Sequence, residues 1–386
     1  MRCHHFDSGA CGSCTLLDLP RPRQLARGRE HVEQLLAPHL APGTIWSEPI
    51  VGAERGFRAR GKMAVGGTAQ APLLTLPGQS RGADLCDCPL YPAGVEAVLT
   101  GAKELIRRAQ IPPYDVARRR GEIKNVLVTT TPDGEHQLRF VLRSDKALPR
   151  LVEHLPRLLK AHPSVIAVSA NLHPEHTTAV EGATEIPLHG PAAIPVRTGD
   201  VTLFAPPGSF LQTHTEVAGQ LYRQAAAWIA ALPAARHAGM RIWDLYCGLG
   251  GFALHAARAL PSALITGVEV SAAAIAGARE GADALGAEHT TFLAGDATQW
   301  AKETTQGADG PPDAVIVNPP RRGLGEELTT WLEGSGVTDV VYSSCNPTTL
   351  AADLAQMPSY RIAQARYVDM FPHTRHAEVL TRLVRT

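Results

Sequence analysis

Apolar residues follow three successive rhythms along this chain. Leu25, Val32, Leu35 and Leu36 fall on one side of a short amphipathic helix that ends near Pro38. From about residue 43 to 205 the period shortens to that of strands and turns. Stretches 126–130 and 137–142 flank Pro132-Asp133-Gly134 and predict a hairpin, with further strands expected at 165–168, 184–188 and 201–204. After Ala205-Pro206-Pro207-Gly208 an alanine-rich helix over 216–232 opens a third regime. There, apolar strands at 241–245, 264–270, 290–294, 313–317 and 337–342 alternate with helical segments such as 271–285. Such alternation requires parallel strands joined by crossover helices, a doubly wound α/β domain.

Three regions are therefore expected: an N-terminal segment over 1–42, a central antiparallel α+β domain over 43–205, and a Rossmann-like domain over 206–386. A length of 386 residues and a 44% hydrophobic composition supply a core for each. Lys plus Arg and Asp plus Glu both number 37, so net charge names no partner. Local clusters say more. Arg58-Ala59-Arg60-Gly61-Lys62, Arg107-Arg108 and Arg118-Arg119-Arg120 with Lys124 suit phosphate contacts, although each could equally be a solvated surface. The start, Met1-Arg2-Cys3-His4-His5-Phe6-Asp7, has no apolar leader, and no run reaches the roughly 18 apolar residues of a membrane span. A cytoplasmic protein without a membrane partner or an evident obligate protein partner is expected.

Five of the seven cysteines lie in the first 88 residues. Cys3, Cys11 and Cys14 precede any folding unit, and Cys86 and Cys88 share Asp84-Leu85-Cys86-Asp87-Cys88-Pro89. In a reducing compartment such a group points to a metal or cluster rather than to disulfides, and spacing alone leaves a Cys₄ zinc site open.

Asp244-Leu245-Tyr246-Cys247-Gly248-Leu249-Gly250-Gly251-Phe252 joins a strand to a helix, where glycines let backbone approach a ligand. Glu269 closes the next strand, where a carboxylate can accept both ribose hydroxyls. The turn lacks the GxGxxG of pyrophosphate binders and follows an acidic residue, which suits a phosphate-free ligand such as S-adenosylmethionine. Asp296, after the third strand, reads equally as an adenine contact or a helix N-cap.

Two further loops follow buried-strand runs: Asn318-Pro319-Pro320-Arg321-Arg322-Gly323 after 314–317, and Ser343-Ser344-Cys345-Asn346-Pro347 after 340–342. They bring a thiol and a polar clamp to the sheet edge where α/β domains bind ligands. An inert buried Cys is the bland reading, and the polar, turning context favours a functional thiol.

With these motifs in view, the chain resembles the bacterial uracil-C5 RNA methyltransferases over essentially its full length. Within them it is most similar to the 23S rRNA type that carries an iron-sulfur cluster and lacks an N-terminal TRAM domain. The resemblance is carried by Cys3, Cys11 and Cys14, DLCDCPLYP at 84–92, SFLQT at 209–213, WDLYCGLGGF at 243–252, GVEVS at 267–271, VNPPRRG at 317–323, YSSCNP at 342–347 and DMFPHTRHAEVL at 369–380. It implies a class I methyltransferase fold and methyl transfer from S-adenosylmethionine to C5 of a 23S rRNA uridine of the 747 type. Cys345 matches the family nucleophile and Glu378 the general base; by pattern alone Glu378 is a charged residue on a final strand. Gln212, Tyr246, Glu269 and Asn318 match the S-adenosylmethionine positions. Asn318 stands where many relatives have Asp, and an amide offers one acceptor and two donors to either uracil or cofactor. Cys3, Cys11, Cys14 and a fourth cysteine match the ligands of a [4Fe-4S] cluster, and Cys88, followed by Pro89, fits the family pattern better than Cys86. The resemblance further implies that the first two regions grip folded rRNA while the target base is splayed out.

A tRNA uracil-C5 methyltransferase would use the same catalytic set, but that branch generally lacks the N-terminal cysteines. A non-catalytic iron-sulfur or zinc RNA-binding protein would need neither Cys345 nor Glu378.

Overall fold

The computed structural model describes residues 1–77, 82–177, 179–307 and 310–386. In chain order the first part contains α1 (His4–Asp7), α2 (Arg21–Leu36), β1 (Leu40–Ile50), β2 (Arg60–Gly67), β3 (Pro72–Thr75), α3 (Val95–Arg108), β4 (Ile123–Thr130), β5 (His136–Leu142), α4 (Leu148–Ala161), β6 (Val165–Leu172), β7 (Thr184–His189), β8 (Ile194–Thr198) and β9 (Val201–Ala205). The remainder contains α5 (Thr215–Ala230), β10 (Arg241–Leu245), α6 (Gly251–Ala259), β11 (Leu264–Glu269), α7 (Ala272–Leu285), β12 (Thr290–Ala294), α8 (Ala297–Thr305), β13 (Ala314–Val317), α9 (Glu326–Ser335), β14 (Asp339–Ser344), α10 (Pro347–Ala355), β15 (Tyr360–Val368) and β16 (Glu378–Arg385). No helix among the described residues is long and apolar enough to cross a membrane.

These elements form two compact units whose boundaries differ from the expected regions. One comprises Met1–Leu17, Ala53–Pro195 and Pro206–Gly208; the other comprises Asp18–Gly52, Val196–Ala205 and Ser209–Thr386. The difference arises because α2 and β1 belong to the C-terminal unit. β1 pairs in parallel with β15, and Val32 and Leu36 of α2 are fully buried in the same core as Leu350, Leu354 and Tyr360. Burial of that apolar side holds the helix, since periodicity alone stabilises an isolated helix of this length little.

The first unit is built on a sheet of order β3-β2-β4-β5-β6-β7. Alternation sends Met63, Val126, Val128, Leu138, Phe140 and Ala170 into one core with α3 and α4. The opposite face carries Arg139, which reaches Glu181 and Glu185, the latter at 2.7 Å. The expected 126–142 hairpin is present as β4 and β5. The sheet is mixed rather than antiparallel, however, because α4 crosses over and returns β6 parallel to β5.

The second unit contains an eight-stranded sheet of order β1-β15-β16-β14-β13-β10-β11-β12. β10 to β14 are mutually parallel, with helices between them, as the alternation required. The chain passes outward from β10 to β11 and β12, then returns to the other side of β10 as β13. That reversal creates the switch point beside which α/β sheets bind ligands. β16 inserts antiparallel between β14 and β15.

Candidate active site

Every candidate of the C-terminal unit except Gln212 lies at or just beyond a strand end. Leu245 pairs with Val268 on one side and with Val317 on the other, and Val317 pairs with Tyr342. The residues that follow, Tyr246, Glu269, Asn318 and the Ser343–Cys345 segment, therefore line up along one edge. Gln212 lies on the segment before α5 and is buried.

The β10–α6 turn is tightly constrained. Tyr246 adopts a left-handed backbone conformation at φ 64°, sparsely populated for a non-glycine residue, and its hydroxyl meets Thr298 Oγ1 at 3.5 Å. Gly250, at φ 79°, is required sterically because a Cβ there would lie 2.7 Å from the Phe292 ring. Asp244 is fully buried, and its Oδ2 accepts from the Ala253 amide at 3.0 Å. Among the described residues no donor reaches its Oδ1. Burial drives this carboxyl up to about 8, opposed by the Ala253 bond and reinforced by the Glu269 charge. A buried Asp244 oxygen without a partner behind the glycine turn is the kind of polar atom that the cationic group of a bound ligand satisfies. Glu269, half-buried, accepts from the Ser271 amide at 3.0 Å through Oε1. Asp296 caps α8, accepting from the Gln299 amide at 2.8 Å through Oδ1, so at least one oxygen performs the structural task.

The thiol and the final carboxylate meet through strand register. Ser343 pairs with Leu380, and Ser344 with Val379, so Glu378 at the start of β16 lies across from Cys345 just past the end of β14. With a side-chain period of two, Ser343 and Cys345 share one face while Tyr342 and Ser344 share the other. Ser343 Oγ donates to Glu378 Oε1 at 2.6 Å. Ser344 instead closes the turn locally, bonding the Asn346 amide and carbonyl at 3.1 and 3.0 Å.

Glu378 is 1% exposed, and burial pushes its carboxyl up to about 7, against the favourable Ser343 bond. A carboxyl poised near neutrality is the condition for efficient proton transfer. Cys345 is half-buried; its thiol is raised by burial and by the Glu378 charge, while the Arg321 guanidinium favours the thiolate. The two acids are thus electrostatically coupled.

Arg321 escaped the sequence reading, which took the VNPPRRG segment chiefly for Asn318. Its carbonyl accepts from Asn346 Nδ2 at 3.0 Å and from Thr349 Oγ1 at 3.3 Å, which ties its loop to the turn that carries Cys345. Phe210, two residues before Gln212, is 66% exposed.

In the other unit, Cys3, Cys11, Cys14 and Cys88 line one cavity together with Phe6, Arg58 and Leu90. Burial raises the Cys14 thiol to about 11, and Cys88, Cys11 and Cys3 add to the rise. Cys88 is raised by burial and, less strongly, by Cys3 and Cys11. Mutually opposing thiolates in one cavity require a cation for all to ionise, a donor set that fits a metal cluster. Cys86 packs elsewhere, in the core with α3, and its thiol donates to Asp84 Oδ1 at 3.2 Å. His5 and His4 reach Asp87 at 2.7 and 3.1 Å and tie α1 to the Cys88 loop; these are N–H to carboxylate distances.

A family model described as tRNA (Uracil-5-)-methyltransferase matches residues 193–386. The 23S rRNA (uracil(747)-C(5))-methyltransferase RlmC of Yersinia pestis strain Pestoides F is 44% identical over 99% of this chain and 99% of its own. The chain belongs to the RNA uracil-C5 methyltransferase family. RlmC of Yersinia pseudotuberculosis serotype I is similar to the same extent, 44% over 99% of both chains. The solved Pyrococcus abyssi tRNA (uracil-54, C5)-methyltransferase, in complex with S-adenosyl-L-homocysteine, matches 96% of this chain and 85% of its own at TM-score 0.76 and 22% identity, a shared fold.

The basic clusters of this methyltransferase are unequal. Arg107 and Arg108 both pair with Glu104, and Lys62 pairs with Glu181 at 2.6 Å. Arg60 and Lys124 are lowered by burial. Arg118, Arg119 and Arg120 are all exposed on the turn that follows Asp115, and only Arg118 approaches that carboxylate, at 3.8 Å.

Proposed function

We propose that this methyltransferase moves the methyl group of S-adenosylmethionine to C5 of a uridine in 23S rRNA, of the uracil-747 type, in the cytoplasm. The substrate reading rests on full-length similarity to RlmC. The chemical reading rests on one observation, the register that sets Cys345 and Glu378 on one face at adjoining strand ends.

Uracil C5 is a weak carbon nucleophile, so the Cys345 thiolate adds to C6 and gives C5 enolate character. C5 then attacks the sulfonium methyl and the S–CH3 bond breaks, its electron pair passing to sulfur and leaving S-adenosylhomocysteine; Asp244 and Glu269 offer acceptors to the donor's cationic and ribose groups. Gln212, Tyr246 and Asn318 complete the proposed donor pocket. Glu378 next takes the C5 proton; the C5–H electron pair restores the C5–C6 double bond, and the C6–S bond breaks to regenerate the thiolate.

The proposed cluster ligands are Cys3, Cys11, Cys14 and Cys88, four thiolates suited to [4Fe-4S]. The cluster would fasten the N-terminal segment to the Cys88 loop, and none of the steps above passes through it.

The test is incubation of the protein with labelled S-adenosylmethionine and total RNA from cells lacking the enzyme, followed by mass-spectrometric mapping. 5-Methyluridine at one 23S rRNA position is expected, absent with Cys345→Ala. Product confined to tRNA, or unaltered activity of Cys345→Ala, refutes the proposal.

A further inference from the structure

We infer that Ser343 is a positioning residue for the base, holding Glu378 by Oε1 so that Oε2 is the atom that accepts the C5 proton. The inference rests on the reading of Glu378 as base and adds to it the residue that orients that base.

The geometry carries it. Ser343 is fully buried in β14, an interior strand of the sheet, where a hydroxyl is costly unless it is bonded. Its partner is the Glu378 carboxylate at 2.6 Å, a short, charge-assisted bond. A buried carboxylate whose only task was structural would be expected to collect several donors or a cation. Among the described residues, Ser343 is the one side chain that donates to this one.

The groups facing Glu378 are few. β14 and the turn after it present Ser343 and Cys345, β15 presents Val368, and α5 presents Tyr222, whose buried phenol is itself raised by burial and by the Glu378 charge. Arg321 acts on the neighbouring Cys345. No cation stands against Glu378 among these groups, so the serine hydroxyl is what favours the ionised base. Cys345 does not perform this task, because its thiolate and the Glu378 carboxylate oppose each other's ionisation.

When C5 is methylated, its proton passes to Oε2, the C5–H pair forms the ring double bond, and the C6–S pair returns to Cys345. A base anchored at one oxygen and bare at the other accepts that proton without reorienting. Loss of the anchor leaves the carboxyl more readily protonated and free to rotate.

The test uses full-length protein and target rRNA. Ser343→Ala should form the methylated Cys345 adduct at nearly the wild-type single-turnover rate but release it slowly, so that denaturation-resistant protein–RNA complex accumulates. The pH midpoint of release should rise by about one unit, a roughly fivefold loss at pH 7 that is regained in alkali. Ser343→Thr, which keeps the hydroxyl in a residue suited to strands, should restore release. The inference is overturned by an unchanged release profile in Ser343→Ala, by equal loss of adduct formation and release with no recovery at high pH, or by a Thr variant no better than Ala. Glu378→Gln tests the underlying reading separately: if it releases product normally, the base assignment itself fails, whatever Ser343 does.

Discussion

The Tyr342 hydroxyl donates to Asp353 Oδ2 at 2.7 Å, and the same oxygen accepts from the Leu324 amide at 2.9 Å. One carboxylate on α10 thereby joins the strand that delivers Cys345 to the loop that delivers Arg321. Gly323, at φ 83°, passes so close that a Cβ would lie 2.6 Å from the same carboxylate.

Asp353→Ala should therefore lower stability by about 1–3 kcal/mol, because a buried phenol and a backbone amide lose their acceptor together. Gly323→Ala should be destabilised as well, through both steric overlap and backbone conformation. Urea denaturation checks both, and a wild-type midpoint for Asp353→Ala would remove the joint role from this residue.

Arg321→Gln should slow covalent addition at neutral pH. Its guanidinium favours the Cys345 thiolate, so its removal raises the thiol pKa, and the rising limb of the addition rate moves to higher pH. Trapping rates with 5-fluorouridine-containing rRNA across a pH series measure this directly. A limb that stays in place would exclude the electrostatic role.

Cys86 and Cys88, two residues apart, should behave differently. Cys88→Ser should lose iron, inorganic sulfide and visible absorbance, whereas Cys86→Ser should keep all three, since its thiol lies in the helix-facing core against Asp84. Purified protein holding zinc with no sulfide would replace the iron-sulfur proposal with a structural zinc site.

Replacing Arg118, Arg119 and Arg120 with Ala should weaken rRNA binding and flatten its dependence on salt, by up to about 0.7–0.9 in the log–log slope for each phosphate that is no longer neutralised. The same substitutions at Arg107 and Arg108 should matter less, as Glu104 already engages both. Binding isotherms over a salt series decide it, and equal slopes for the Arg118–Arg120 variant and wild type count against a role in phosphate binding.

The parallel core was legible because its strands alternate with helices and because β13, Ala314–Val317, is an apolar run buried at every position; edge strand β12, which buries only Phe292, shows in the alternation alone. The place of α2 and β1 was hidden: β1 joins β15, and Thr44 Oγ1 bonds Ile362 O across 318 residues of sequence, a pairing that no local pattern encodes. The parallel return of β6 was hidden for the same reason, since a strand's apolar pattern does not state its direction. Glu378 stood out only by family likeness, because a carboxylate opening a strand has no periodic signature. Ser343 read as part of a polar turn; only register separates it from Ser344, sending one serine to Glu378 and the other to the turn.

β16 also has a bearing on how the enzyme is made. It is the last strand of the described chain to emerge from the ribosome, yet it occupies an interior place; without it the sheet falls into a pair and a group of five with two raw edges. A chain that stops before Glu378 therefore lacks the proposed proton acceptor and displays open strand edges at the same moment. Truncation before β16 should thus cost the proposed chemistry and the integrity of the sheet in a single step.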